Sequence, residues 1–483
     1  MTIIIPANSA VTAAYDVDNS CKFNIADGAE MAQTLSTPTD RDKWTFSAWL
    51  KIGSIGEHGV FDCHEDASNY GYFELGTNGQ LTIFDQLAGS NHCILVTSRL
   101  FRDFSAWYHF VIAWDSGQGV AADRVKLYIN GVQETAFSTE TYPSQDENSA
   151  INSANPHNLA RKDTHDTHNY DGYMAEVVFI DGQSLTPTSF GEFDEDSPTI
   201  WKPKKVSGLT FGNNGFYLDF ADSADLGDDE SGNTNDFTET NLAAADQCVD
   251  SPTNNLSTLN PLIMTAASQP VFSDGNNVVV TQPGAPSTAH YMGGFSSYGM
   301  SSGLWYVECK AASVGSPLIG IAGTRTSQIV ANNRFLGFNA YEWGYNGLTG
   351  DIIRPGTTIS YGDTYTTGDI IGIFLDLNAN KLYFAKNGTI QNSGTGLAIT
   401  ATTITGQPNT YFFTASQYGA VCTFNWNFGN GTFASTAVTS AVADANGFGL
   451  FEYDPSDGGS ASFDSSAKDF LCLCSKNIGS DGG

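Results

Sequence analysis

Along most of the chain apolar side chains recur at every second position, the period of a strand with one buried face. In KWTFSAWLKIG (43–53), Trp44, Phe46 and Ala48 alternate with Thr45, Ser47 and Trp49. GVFDC, GYFELGTNGQLTIFD and CILVTS follow, the second split by Thr77-Asn78-Gly79, a hairpin turn of the Asn-Gly kind that accepts positive φ. SAWYHFVIAWD (105–115) and RVKLYINGVQ (124–133), turning at Asn130-Gly131, form a second pair, and GYMAEVVFIDGQSLTPTSFGE (172–192) closes the region. A second strand-rich region opens with NNVVVTQP (276–283) and continues through GLWYVECKA, SPLIGIAGT and FLGFNAYEWGYNG to GDIIGIFLDLNANKLYFAKNGTI (368–390). There Ile371, Ile373 and Leu375 alternate with Gly372, Phe374 and Asp376, and YFFTASQYGAVCTFNWNFG (411–429) supplies closing strands. The pattern predicts an all-β protein made of two antiparallel β-sandwiches.

Between these regions the character changes. The Trp201-Lys202-Pro203-Lys204-Lys205 start reads as an extended connector, because a residue before proline is pushed out of the helical region. Phe216, Leu218 and Phe220 keep the strand period, and then five acids crowd Asp222 to Glu230, followed by Ser231, Gly232, Asn233, Asn235 and Asp236. These are turn formers with oxygen atoms to offer, so the run is a loop, either solvated or wrapped around a hard cation. The predicted organisation is a sandwich over 1–199, a connector over 200–270, a second sandwich over 271–433 and an extension over 434–483. In that extension FGLFEY and DFLCLC are apolar enough to lie as short strands on a neighbour.

Composition agrees: 50 Gly, 31 Phe and 20 Tyr against 15% charged residues favour many short strands and tight turns. The formal net charge of -31, from 21 basic and 52 acidic residues, repels a polyphosphate at long range, so nucleic acid is not an expected partner. No run approaches the ~18 apolar residues that span a bilayer, and MTIIIPANSAV has no basic region of a secretory signal. Eight cysteines without a CxxC spacing are expected as reduced thiols of a chain folded in a bacterial cytosol.

FGEFDEDSPTIWKPKKVSG, NGFYLDFADSADLGDDESGNTNDFT and DSPTNNLSTLNP, in this order, resemble a joint that recurs in virion proteins of tailed, especially marine, bacteriophages. The WTFSAW, WYHF, KLYING and GYMAEV strands resemble a laminin-G/concanavalin A-like jelly roll, and GDIIGIFLDLNANKLYFAKNG resembles the centre of a SPRY domain. The resemblance implies a structural virion component on a tail fibre, tail tip or capsid surface, which presents lectin-like sandwiches to host-surface glycans or docks on other virion proteins. By the same analogy it is a homo-oligomer, often a trimer, made in the host cytoplasm.

Candidate chemistry is sparse. Glu192, Asp194, Glu195 and Asp196 lack the alternation of a glucanase acid pair and read as a solvated loop. His157, Asp163, His165, Asp166 and His168 gather in a polar loop where His165 and His168 could share a metal. Asp222, Asp225, Asp228, Asp229, Asn233 and Asp236 could surround Ca²⁺, although not at EF-hand spacing. Tyr341, Trp343 and Tyr345 alternate, so their rings point one way and could stack on sugar faces, with Asn346 as a hydrogen-bond partner; a buried aromatic strand is the competing reading. No nucleophile elbow, P-loop or dinucleotide fingerprint appears. A non-enzymatic binding protein is expected, with no required cofactor beyond a candidate Ca²⁺.

Overall fold

The period-two strands assemble into sandwiches in the computed structural model, which describes residues 15–163, 168–263, 270–281, 289–323, 335–399, 410–456 and 463–481. The chain divides between Thr253 and Asn254 into two units. In the N-terminal unit the first sheet runs in the order Val132–Glu134, Val125–Ile129, Trp107–Asp115, Lys43–Ile52, Gly172–Asp181, Ser20–Phe23 and Gln247–Cys248. The second runs Phe137–Thr141, Ser90–Thr97, Leu81–Leu87, Asn69–Leu75, His58–Asp66, Pro156–Leu159, Glu30–Thr34 and Thr238–Thr240. Between them lies an aromatic core in which Trp44 stacks on Trp114 at 5.4 Å and Phe46 on Phe61 at 5.2 Å.

Of the stretch expected as a connector, 200–270, residues 200–253 are part of this unit. Strand Phe216–Leu218 pairs with Gly172–Asp181, Gln247–Cys248 with Ser20–Phe23, and Thr238–Thr240 with Glu30–Thr34. The cause is that the first sheet is apolar on both faces. Trp49, Trp107 and Tyr173 project away from the sandwich core, as do Val111, Val178 and Ile180, and residues 182–253 supply the layer that covers them. Trp201 anchors this cover: its Nε1 donates to His109 Nδ1 at 2.9 Å, and its ring lies where a Cβ on Gly131 would come within 2.3 Å. Burial pushes His109 down to about 3, so the ring is neutral and free to accept that bond. Farther along, Asp250 pairs with the buried Lys51 at 2.6 Å and accepts from Trp107 Nε1 at 3.1 Å. All eight cysteines are free and buried.

The C-terminal unit has a nine-stranded sheet built around Thr423–Asn427, Leu304–Ser313, Ile370–Asp376 and Lys381–Lys386. Its six-stranded sheet runs in the order Ala289–Phe295, Tyr411–Gly419, Pro317–Gly323, Glu342–Asn346, Asp351–Arg354 and Thr357–Ser360. The described residues after 433 form a further layer on this unit. Leu471–Cys472 adds in parallel to Leu304–Ser313, while Phe451, Phe463 and Phe470 cover Tyr306, Phe374 and Tyr383. Glu308, buried beneath them, accepts from the N–H groups of Glu452 at 3.0 Å and Tyr453 at 2.8 Å and from the Tyr306 hydroxyl at 3.0 Å. Burial pushes its carboxyl up to about 7 against these hydrogen bonds.

Candidate binding face

The outer face of the second sheet in the N-terminal unit carries a row of side chains whose register is set by one hairpin. Gly79 turns at φ +82, as the Asn-Gly turn requires, and pairs Leu75 with Leu81. Odd-numbered Phe73, Leu81 and Ile83 therefore enter the core, while Tyr70, Tyr72 and Phe84 emerge together on the other side, half-buried. The straight row across the sheet reads Asn158, Asp62, Tyr72, Phe84 and Ile94. Its rings form a slab: Tyr72 and Phe84 stack at 4.9 Å and 15°, and Tyr70 lies on Phe84 at 5.3 Å and 22°.

Polar groups border the slab on one side. Lys162 Nζ stands 4.0 Å above the Tyr72 ring and 2.8 Å from Glu74. His168 bridges Glu74 and Glu57 at 2.6 and 2.9 Å, while Arg161 joins Glu30 and Asp163 at 2.8 and 3.0 Å. Asp62 accepts from Asn158 Nδ2 and the Asp163 N–H, and burial pushes its carboxyl up to about 6 despite them. At these spacings the rings overlap one another and Lys162 lies over Tyr72, so the row presents an apolar ridge with hydrogen-bonding groups along one border. Asp62 is thus held by two donors, and Glu74 by Lys162 and His168. This slab was missed in the sequence, although the Asn78-Gly79 turn together with the alternation in YGYF and TIFD contained the signal.

The residues singled out from the sequence fall elsewhere. Tyr341, Trp343 and Tyr345 do share one side of their strand, but that side points inward. Trp343 and Tyr345 are fully buried, the latter among Tyr361, Tyr365 and Phe384 with its hydroxyl on Asp363 O, and Asn346 caps the turn at Leu348. Only Tyr341 reaches the surface, where it borders a recess of about 360 Å³ with Ala340, Arg354, Pro355 and Thr357.

The acidic loop is organised by its own backbone. Asp229 accepts from the N–H groups of Tyr217, Ser231 and Asn235 at 2.8–2.9 Å, Asp222 from Ala224, and Asp236 from Asp229, while Asn233 donates to Gly212 and Gly215 carbonyls. Asp225 and Asp228 are exposed, and desolvation followed by repulsion from Glu239 and Asp228 raises the Asp225 carboxyl. Among the described residues no three His, Cys, Asp or Glu side chains converge on one metal position. His157 faces inward against Phe61, where burial pushes it down to about 4; His165 and Asp166 lie outside the described residues. Asp194 is buried rather than solvated: it accepts from Asp196 and Ser197 N–H groups and pairs with Lys202 at 3.2 Å.

Residues 26–189 match the Concanavalin A-like lectin/glucanases superfamily, and residues 304–430 match the SPRY domain. Among curated proteins the chain resembles human Ran-binding protein 9 and zebrafish (Danio rerio) Ran-binding protein 10, each 39% identical over 88 residues, 18% of this chain. A probable ATP-dependent RNA helicase, ddx1 of Dictyostelium discoideum, is 31% identical over 90 residues, 19% of this chain and 11% of its own. The matched stretch spans only 12% and 14% of the two Ran-binding proteins. Similar solved structures include a heptameric SAP-like pentraxin from Limulus polyphemus, at 15% identity over 36% of this chain and 80% of that one, with a TM-score of 0.27. The SPRY domain of human HERC1 matches at 16% identity over 35% of this chain and 96% of that one, with a TM-score of 0.26. A concanavalin-like domain joined to a SPRY domain supports a protein-interaction or binding role.

Proposed function

We propose, starting from that pairing of a concanavalin-like and a SPRY domain, that the chain is a non-enzymatic binding protein of a bacteriophage virion. It would stand on a tail appendage or the capsid surface as a homo-oligomer, with a trimer the form suggested by analogy. Its N-terminal sandwich holds host-surface glycan against the Tyr70, Tyr72 and Phe84 slab, and docking on other virion proteins is a second use of the same architecture. The observation that carries the glycan reading is that slab: three part-exposed rings, held nearly parallel on one sheet face with hydrogen-bonding groups along one border. The phage assignment is supported by the resemblance of residues 190–262 to the virion joint and by no residue of the slab itself.

The experiment is a binding assay of the purified chain on host polysaccharides, scoring released reducing ends in the same wells. Binding without product is the expected result, with Tyr72→Ala and Phe84→Ala together lowering affinity at least tenfold while leaving the melting temperature near that of the parent. Accumulating reducing ends would replace this reading with that of a depolymerase. Undiminished binding by the double variant would remove the slab from it.

A further inference from the structure

The recess in the C-terminal unit holds an arginine that differs from every other described arginine. Arg41 and Arg102 donate to backbone carbonyls, Arg124 donates to three, and Arg99 and Arg161 pair with glutamates. Arg354 makes neither a hydrogen bond nor an ion pair among the described residues, in a chain with 52 acidic residues against 21 basic ones. Its guanidinium instead lies 5.1 Å from the centroid of Trp343, half-buried at the end of strand Asp351–Arg354. The nearest acid in sequence across the strand pair, Glu342, is turned away: its carboxylate accepts from the N–H groups of Gly337, Phe338 and Asn339. A guanidinium stacked on an indole keeps the donors around its edge free and presents them in a plane that fits a carboxylate.

Ala340, Tyr341, Pro355 and Thr357 line the recess beside that group, an open recess of about 360 Å³. That volume is at the small end of ligand sites, which run from roughly 300 to 1,000 Å³. It suits one or two compact rings better than an extended peptide strand. A tyrosine, a proline, a threonine and one unpaired cation lining one recess are together complementary to a pyranose that carries a carboxylate.

We propose that this recess binds a uronic-acid residue of an acidic polysaccharide, with Arg354 on the carboxylate and Tyr341 and Pro355 against the ring. The site is separate from the slab of the N-terminal unit and neither requires nor implies it.

The test is calorimetric titration of the full chain with trigalacturonate, with cellotriose as the neutral control and triglutamate as the acidic peptide control, at low and at moderate salt. Trigalacturonate is expected to bind, cellotriose to give no heat, and Arg354→Gln to weaken trigalacturonate at least tenfold. Arg354→Lys should recover only part of that loss, since an ammonium cannot offer two parallel donors. Tyr72→Ala with Phe84→Ala should leave this affinity unchanged, which keeps the two sites distinguishable. Melting curves of each variant establish that it is folded. The proposal is overturned by absence of trigalacturonate binding, by a folded Arg354→Gln chain that binds as before, by equal heats from cellotriose, or by triglutamate binding as tightly through the same arginine.

Discussion

Trp201 is held by two absences as much as by its contacts. Gly131 and Gly191 leave room for the indole, a Cβ on them reaching within 2.3 and 2.5 Å of the ring, and Gly131 also sits at φ +78. Gly131→Ala must therefore shift the indole and strain the turn at once, and Trp201→Ala removes a buried aromatic together with the donor to His109. Trp201→Ala is expected to cost ~3–5 kcal/mol, read as a lower urea midpoint of the N-terminal unit with the C-terminal transition unmoved. At this scale the sequence was partly legible. The parity that groups Tyr341, Trp343 and Tyr345 is visible in the alternation, but their direction is not, because the opposite positions, Glu342 and Gly344, are themselves largely covered. Gly344 lies under Leu336 and the Glu342 carboxylate is folded into the neighbouring turn, so no polar face marks the outside.

The acidic loop shows how an element can gather carboxylates for its own backbone. Its carboxylates gather because turn backbone needs acceptors, and Asp229 alone serves Tyr217, Ser231 and Asn235. Asp229→Ala should cost ~2–3 kcal/mol in chemical denaturation, since three N–H groups lose a charged acceptor. EGTA is expected to leave the melting temperature of the parent unchanged, and a fall of several degrees on chelation would return the loop to the status of a Ca²⁺ site. The strand-and-turn order of both sandwiches was readable, and so was the 78–79 hairpin that aligns Tyr72 with Phe84. That residues 200–253 form a layer could not be read in the same way. Strands of three residues such as Phe216–Leu218 and Thr238–Thr240 carry too little period to reveal a pairing partner. The clue lay in the strand Lys43–Ile52 of the covered sheet, whose Trp49 would otherwise have faced water.

Across the molecule, several carboxyls are held neutral by burial. Asp62 is pushed up to about 6, and Asp85, Glu176 and Glu308 each to about 7, well above their range in an unfolded chain. A folded state that holds protons more tightly gains stability below the unfolded pKa and loses it as pH rises through the folded one. These carboxyls should thus stabilise both units fully below about pH 4 and less as pH rises through about 7, with a loss of up to roughly 3 kcal/mol for each such carboxyl between pH 5 and pH 8. The measurement is the urea midpoint at pH 5 and pH 8. Repulsion within a chain of net charge -31 acts in the same direction, but salt screens it; the part that survives in 1 M NaCl belongs to the buried groups. Flat stability across this range would show that these carboxyls remain ionised.

The clasp at the border of the N-terminal unit also has a mechanical meaning. Val17 N–H donates to Thr253 Oγ1 at 3.0 Å, that hydroxyl donates back to Val17 O at 3.1 Å, and Ser20 Oγ donates to Asp250 O at 2.6 Å. The first and last described stretches of this unit thus meet at one spot, on the antiparallel neighbours Ser20–Phe23 and Gln247–Cys248. Tension along the chain would meet these few bonds one after another, as in a zipper, and would pass beside the sandwich instead of through it. Until the clasp opens, the unit hangs on the loaded chain like a bead on a closed ring, its binding face unstretched.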